Sequence, residues 1–330
     1  MQREEIRAEI LRIKEKMGIT IVAHYYQRDE VYEMADITGD SLELAKRCVA
    51  DPNPWVVFCG VGFMGQSVKI LAPHKRVVMP KIACCSMARM VSAEYFDDAV
   101  RYCQEHGIPK ENILPITYIN SNADVKAKVG AMGGYVCTSS NAPKIIAKAL
   151  EEGKKILFVP DRCLGVNTAN KMGLSSCVIG DGKDPKEAQI ICFDGFCSVH
   201  QLFLPEDVDF YRQKYPGIKV AVHPECRPDV VAKADFVGST SQIIAYVKAL
   251  DPEEKVVVGT EWNLVHRLRP ANTYVLSQTK PECPTMNETT LDDLLAVLQA
   301  IEKGEPLNEI EVDEATARDA RAALERMMAL

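Results

Sequence analysis

Short runs of β-branched and aliphatic residues alternate along the chain with stretches whose apolar positions recur at helical spacing. GITIVAHYY (18–26), PWVVFCG (54–60), KRVVMP (75–80), KKILFVPD (154–161), IKVAVHPE (218–225) and EKVVVGTE (254–261) read as buried strands. Between them, DSLELAKRCVA (40–50) and NAPKIIAKALEEG (141–153) read as amphipathic helices. The tail carries two more helical patterns, TTLDDLLAVLQAIEKG (289–304) and DEATARDARAALERMMAL (313–330). Strands that are apolar throughout, separated by helices, predict parallel sheets covered on both faces.

The pattern repeats. A strand ends on a polar group (IVAHYY, PITYIN, VAVHPE). A Ser/Thr-rich turn then opens a helix (TGDSLELAKRC, CTSSNAPKIIAKAL, GSTSQIIAYVKAL). A strand end punctuated by Gly or Pro follows (VVFCGVGFM, ILFVPDRCLG, VVVGTEWNL), and a last strand leads to a cysteine (VVMPKIACC, IICFDGFC, TYVLSQTKPEC). His24 to Ser41 spans 17 residues, Asn120 to Ser139 spans 19, and His223 to Ser239 spans 16. His24 to Cys85 is 61 and His223 to Cys283 is 60, whereas Asn120 to Cys197 is 77. The longer middle copy predicts an inserted loop at GDGKDPKEA. Such periodicity implies one supersecondary unit used three times. The expected fold is therefore α/β, with three similar domains bearing parallel sheets around a pseudo-threefold axis. Strand carboxyl ends would face a central active site. The expected boundaries are 1–86, 87–197 and 198–284, with C-terminal helices over 285–330 returning to the first domain.

Composition narrows the function. The 330 residues are 47% hydrophobic and 26% charged, with a net charge of −7 and no long basic run, which argues against nucleic acid as a partner. The opening MQREEIRAEILRIKEKMG is too charged for a secretory signal. No apolar run reaches the roughly 18 residues that a membrane span needs. A cytoplasmic protein with no membrane contact is expected. Twelve cysteines in a reducing compartment are not disulfides, and no C-x-x-C pair supports a zinc finger. Most read as small buried hydrophobes.

Three do not. Cys85, Cys197 and Cys283 occupy the same place in the three copies. One thiol per copy selects Cys85 over its neighbour Cys84, which is expected to pack into its own domain. Three thiolates suit an iron–sulfur cube with one incompletely ligated iron, or a zinc ion completed by water. The helix starts at Ser41, Ser139, Ser140, Ser239 and Thr240 offer N–H and hydroxyl donors to anions; taken singly, each reads first as an ordinary N-cap, and taken as a threefold set at one centre they read as an anion site. His24, His200 and His223 are candidate acid–base or carboxylate-binding groups. Glu225, two residues after His223, could move protons, while Cys226 reads as packing. His74, His106 and His266 sit in charged surroundings and read as surface or structural.

AHYYQ, GDSLELA, YINSNADVKA, CTSSNA, VPDRCLG, CSVHQ, HPEC, ADFVGSTSQI, GTEWNLVHRL and CPTMNETTL, in this order from about residue 20 to 300, resemble the quinolinate synthase family. The resemblance implies a [4Fe-4S] enzyme of de novo NAD biosynthesis. It would condense iminoaspartate with dihydroxyacetone phosphate to quinolinate, phosphate and water. It implies Cys85, Cys197 and Cys283 as cluster ligands. It further implies His24, Tyr26, Ser41, Tyr118, Asn120, Ser139, Asn141, His200, His223, Glu225, Ser239 and Thr240 as site residues. Tyr26, His24 and Glu225 are the expected acid–base groups, and coupling to an iminoaspartate-producing enzyme is expected. The chain departs from the family's usual pattern at Gln66, Lys81 and Asn287. Two other readings use the same features: a cluster-dependent hydro-lyase on another hydroxy acid, and a redox sensor or cluster carrier with no need of His223 or Glu225.

Overall fold

The computed structural model describes residues 2–269 and 271–330. The first copy runs α1 (Arg3–Met17), β1 (Ile19–His24), α2 (Asp29–Tyr32), β2 (Ile37–Gly39), α3 (Ser41–Ala50), β3 (Trp55–Cys59), α4 (Gly62–Leu71) and β4 (Arg76–Val78). The second runs α5 (Ser86–Met90), α6 (Ala93–Glu105), β5 (Ile113–Tyr118), α7 (Ala123–Ala131), β6 (Tyr135–Cys137), α8 (Ala142–Leu150), β7 (Lys155–Val159), α9 (Arg162–Met172), β8 (Ser176–Val178) and β9 (Ile190–Cys192). The third runs α10 (Pro205–Lys214), β10 (Lys219–Val222), α11 (Pro228–Val231), β11 (Phe236–Val237), α12 (Thr240–Ala249), β12 (Val256–Gly259), α13 (Trp262–Val265) and β13 (Thr273–Val275). Helices α14 (Leu291–Glu302) and α15 (Glu314–Met328) follow.

Each copy builds its own parallel sheet. The orders are β2-β1-β3-β4, β6-β5-β7-β9-β8 and β11-β10-β12-β13. The first strand of each copy lies inside its sheet with the third beside it, as in the pairings Ile21↔Val57, Ile116↔Phe158 and Ala221↔Val258. Every residue of β1, β5 and β12 is buried, as the unbroken apolar runs require of strands covered on both faces. The middle copy's extra length is more than a loop. It contains β8, a fifth strand that pairs only with β9.

Equivalent backbone contacts recur between copies. Asp36 and Asp235 each take a strand N–H on a carboxylate oxygen, from Ile21 at 2.9 Å and from Val220 at 2.8 Å. Each returns its own N–H to the same residue's carbonyl. The helix after the third strand donates its first N–H to a carbonyl two residues before the cysteine of that copy. Gly62 bonds Ala83 at 2.8 Å, Arg162 bonds Gly195 at 2.9 Å, and Trp262 bonds Pro281 at 3.0 Å. First-turn N–H groups have no partner inside their own helix, so an adjacent loop carbonyl satisfies them. The loops leading to Cys85, Cys197 and Cys283 are thus moored in the same way.

The chain divides into two compact units. The first ends at Cys85 and takes back Cys283–Arg318; the second comprises Ser86–Glu282 and Asp319–Leu330. In the first, α14 packs on α1, and Leu291, Leu294 and Leu298 join Ile6, Ile10, Ile13 and Ile21 in one core. Thr290 caps α14 in a reciprocal pair with Asp293, which also holds Lys81 at 3.2 Å. In the second, Arg326 of α15 donates to the Gly134 carbonyl at 2.8 Å. A Cβ on Gly130 would fall 1.9 Å from the carbonyl oxygen of Asp319. Around β10 and β12, Phe203, Val208, Val220, Val222, Cys226, Val257 and Leu276 form a further core.

Candidate active site

A buried polar cluster lies in the second unit, where β5, β7, β10 and β12 end. Its centre is Glu225, 3% exposed. The turn that carries it is closed by the Cys226 N–H on the His223 carbonyl at 3.0 Å, with Pro224 and Glu225 at its middle positions. Proline presets the backbone for the second position of such a turn. The sequence reading allowed an extended segment here; the turn instead points the Glu225 carboxylate back toward His223, with Oε1 3.8 Å from Nδ1. Tyr118, at the end of β5, donates its O–H to the same oxygen at 2.5 Å. The other oxygen lies 3.0 Å from His200 Nδ1. His200 in turn meets Thr260 Oγ1 through Nε2 at 3.1 Å, and its ring stacks on His223 at 4.6 Å. Thr260, His200, Glu225 and Tyr118 form a continuous chain of polar groups sealed from water.

Burial pushes the Glu225 carboxyl up, but His223, His200 and the Tyr118 O–H outweigh it and hold the group below its usual value, as the anion. Asp161, fully buried at the N-cap of α9, is pushed the other way. Burial and the charge of Glu225 raise it well above the usual carboxyl value. The two buried carboxyls thus carry opposed shifts. Asn120 Oδ1, Asp161 Oδ2 and His200 Nδ1 are buried without an aligned hydrogen bond, as expected where a ligand completes the arrangement.

The first unit repeats part of this. Tyr26 donates its N–H to His24 Nδ1 at 3.1 Å, as Glu225 does to His223 Nδ1 at 3.3 Å. A backbone N–H on Nδ1 assigns the proton of each neutral ring to Nε2, which becomes a donor. The Tyr26 ring meets His24 edge-on at 4.7 Å. Gln27, fully buried, donates to the Met286 carbonyl at 3.0 Å and so ties the segment after Cys283 to the end of β1.

The helix starts separate the two readings of their hydroxyls. Asp40 caps α3, so Ser41 is not the cap. Asn141 occupies the cap position of α8 and accepts from the Thr138 N–H at 2.7 Å, which leaves Ser139 outside that role. Ser139 and Ser140 instead line a cavity of about 420 Å³ together with Asn167, Pro224, Gly238 and Gln242. Ser239 does cap α12, in a reciprocal pair with Gln242, and Thr240 follows it, 4% exposed.

The cysteines sort by burial. Cys48, Cys59, Cys103, Cys137, Cys163, Cys177, Cys192 and Cys226 are buried, Cys84 is exposed, and Cys85, Cys197 and Cys283 are intermediate. Burial pushes Cys48 and Cys59 up to about 12 and Cys163 to about 11, which keeps them as thiols rather than ligating thiolates. Cys84 was expected to pack inside. Ala83 fills that interior position and Cys84 faces outward. Ser86 and Ser198, which follow Cys85 and Cys197, place their hydroxyls 3.4 Å apart. Single ligand atoms of Cys197, His200 and Glu225 lie within 4.8 Å of one another. Cys197, His200 and Glu225 are therefore a donor set that fits a metal group.

The sequence profile of the quinolinate synthetase A protein matches residues 8–329. A quinolinate synthase of Helicobacter pylori (strain ATCC 700392 / 26695) is 52% identical over 332 residues, covering 99% of this chain and 98% of the relative. Those of Streptomyces coelicolor and Geobacillus sp. (strain WCH70) are 43% and 39% identical, covering 96% and 100% of this chain and 86% and 95% of the relatives. The chain belongs to the quinolinate synthetase A family. For a member of that family, the cluster around Glu225 includes three residues the motif reading left unassigned: Asp161, Asn167 and Thr260. One signal was present. Position for position, Val61, Asp161 and Glu261 cap the helices α4, α9 and α13, so the repeat read two residues past each strand end meets an acid twice. Among the described residues, no helix is long and apolar enough to cross a membrane.

Proposed function

We propose that the protein is a cytoplasmic quinolinate synthase of NAD biosynthesis. It would condense iminoaspartate with dihydroxyacetone phosphate to quinolinate, phosphate and water. The observation that carries the reading is the buried Thr260–His200–Glu225–Tyr118 chain of polar groups, with ligand atoms of His200 and Glu225 within 4.8 Å of the Cys197 thiol. In this reading the copies spanning 1–86, 87–197 and 198–284 each contribute one ligand, Cys85, Cys197 and Cys283, to a [4Fe-4S] cluster; of the C-terminal helices expected over 285–330 to return to the first copy, α14 does so, whereas 319–330 of α15 belongs with the second unit. When bound, the cluster supplies a Lewis acid through the iron that no cysteine holds.

The protein's own residues account for the rest. Nε2–H of His24 and of His223, with the hydroxyls of Ser41, Ser139, Ser239 and Thr240 and the amides of Asn120 and Asn141, bind the carboxylates and the phosphate. Glu225, held as the anion, accepts a proton; Tyr118 and His200 are its immediate partners. Tyr26 and His24 occupy the corresponding positions of the first copy and serve as the second acid–base pair. Burial of the cluster excludes water that would hydrolyse an imine. Because that imine is short-lived, an iminoaspartate-producing enzyme is the expected supplier.

Anaerobic purification followed by iron and sulfide analysis, together with a quinolinate assay, tests the proposal. About four irons per chain and quinolinate from the two substrates are expected. A colourless protein holding only zinc would remove the cluster. Formation of a simple unsaturated acid instead of a pyridine dicarboxylate would favour the hydro-lyase reading.

A further inference from the structure

Asn167 lies on α9 and is 6% exposed. Its Nδ2 donates to the Pro224 carbonyl and to the Cys226 carbonyl, both at 2.8 Å. These carbonyls belong to the residues on either side of Glu225. Both amide hydrogens are thereby used, and the bonds assign the amide orientation: reversed, Oδ1 would face two carbonyl oxygens. The cost falls on Oδ1, which is buried with no hydrogen-bond partner. Buried acceptors are rarely left so. A leucine would fill the same space without that penalty, so packing does not account for an amide here.

The clamp acts where the turn needs it. Inside the turn, the Cys226 N–H closes on the His223 carbonyl at 3.0 Å, and the Glu225 N–H is spent on His223 Nδ1. The Glu225 carbonyl has only a long contact, 3.5 Å, from Gln201 Nε2. The His223 N–H ties the start of the turn to the Gly259 carbonyl of β12 at 3.0 Å, but none of these bonds holds the Pro224 and Cys226 carbonyls. Helix α9 does. It follows β7, is capped by Asp161 through the Leu164 N–H at 2.7 Å, and holds the Pro224 and Cys226 carbonyls through one side chain. We infer that Asn167 is a positioning residue for Glu225, its carboxamide clamping the 223–226 turn so that the carboxylate stays on Tyr118 and His200. The inference rests on the reading of Glu225 as the proton-accepting group.

Asn167→Leu keeps the shape and removes both donors. Amide exchange read by mass spectrometry should quicken about tenfold or more at Glu225, Cys226 and Arg227 and stay unchanged in β7 and β12. In the anaerobically reconstituted enzyme, kcat for quinolinate formation should fall on the order of 10²-fold, as for a misplacement of about 1 Å, with KM within about threefold. Iron content should be unaffected. In a Glu225→Gln background the same change should add less than about a twofold loss, because the clamp acts through the carboxylate. Unchanged exchange at 225–227, or an equal loss in both backgrounds, would overturn the inference. If Asn167→Leu does not fold, Asn167→Ser, smaller and with one donor, takes its place; failure of both to fold makes the residue structural and overturns the inference as well. A wild type that makes no quinolinate would end the proposed reaction instead, and the exchange arm would still decide whether Asn167 holds the turn.

Discussion

Cys84 and Cys85 are neighbours in different surroundings. Cys84 faces outward, whereas Cys85 is half-buried at the end of a moored loop. Cys84→Ser should therefore retain a full complement of iron after anaerobic reconstitution, while Cys85→Ser, Cys197→Ser and Cys283→Ser should not. Loss of iron from the Cys84 variant with retention in the Cys85 variant would reverse the assignment. Glu225→Gln, which keeps the shape but cannot accept a proton, should lower quinolinate formation by about 10²–10⁴ and leave iron in place. Near wild-type turnover would remove Glu225 from proton transfer. A different kind of charge lies under the Tyr118–Ser121 segment. Lys126 is fully buried, donates to the carbonyls of Ile119 and Ser121, and is pushed by burial from its usual value down to about 7. Between about 7 and its ordinary value, the unfolded chain binds a proton that the folded chain does not. Stability should consequently rise as pH increases through that interval, and the rise should vanish in Lys126→Met. Thermal unfolding midpoints at pH 7 and 9.5 would show it, and parallel pH trends in the two proteins would exclude Lys126 as the source.

At the scale of elements, the sharpest steric demand is on α7. Gly130 faces the Asp319 carbonyl oxygen at a separation where no Cβ fits. Gly130→Ala should cost about 3 kcal/mol or more, beyond the usual range for overpacking because the obstacle is backbone. Gly153→Ala, with no atom within 4 Å of a Cβ but φ at +70°, should cost only the milder price of a left-handed alanine, about 1 kcal/mol. Denaturant midpoints of the two variants would rank them, and equal midpoints would contradict the packing argument. The long elements were legible in the sequence. All six apolar runs are strands, at β1, β3, β4, β7, β10 and β12, and the helical patterns at 40–50, 141–153, 289–304 and 313–330 are α3, α8, α14 and α15. The edge strands β2, β6, β8 and β11 were not, because two or three residues carry no periodicity; hydrogen bonds to a neighbouring strand alone make them strands.

For the whole molecule, the recurring loop anchors bear on how the fold depends on its expected cofactor. Ala83, Gly195 and Pro281 are held by helix N–H groups, not through the thiols. Protein stripped of iron under anaerobic conditions should keep its far-ultraviolet circular dichroism and lose only quinolinate formation, and iron with sulfide should restore activity without refolding. Collapse of secondary structure on stripping would show that the metal holds the chain together. The candidate site was half legible at this scale. The histidines, hydroxyls and three cysteines stand out because the repeat sets them at matched spacings. Asp161, Asn167 and Thr260 acquire meaning only when strand ends remote in sequence meet around Glu225, a relation that no local pattern encodes. The anchors also have an arithmetic consequence. If the mooring and its cysteine belong to the duplicated unit, copy number fixes the number of ligands. In the proposed cluster, three copies would provide three thiolates to a cube of four irons, and the last iron would be left for substrate because there is no fourth copy to claim it. Vacant coordination would then be inherited from triplication itself, and a mutation that filled it would have to recruit a donor from outside the repeat.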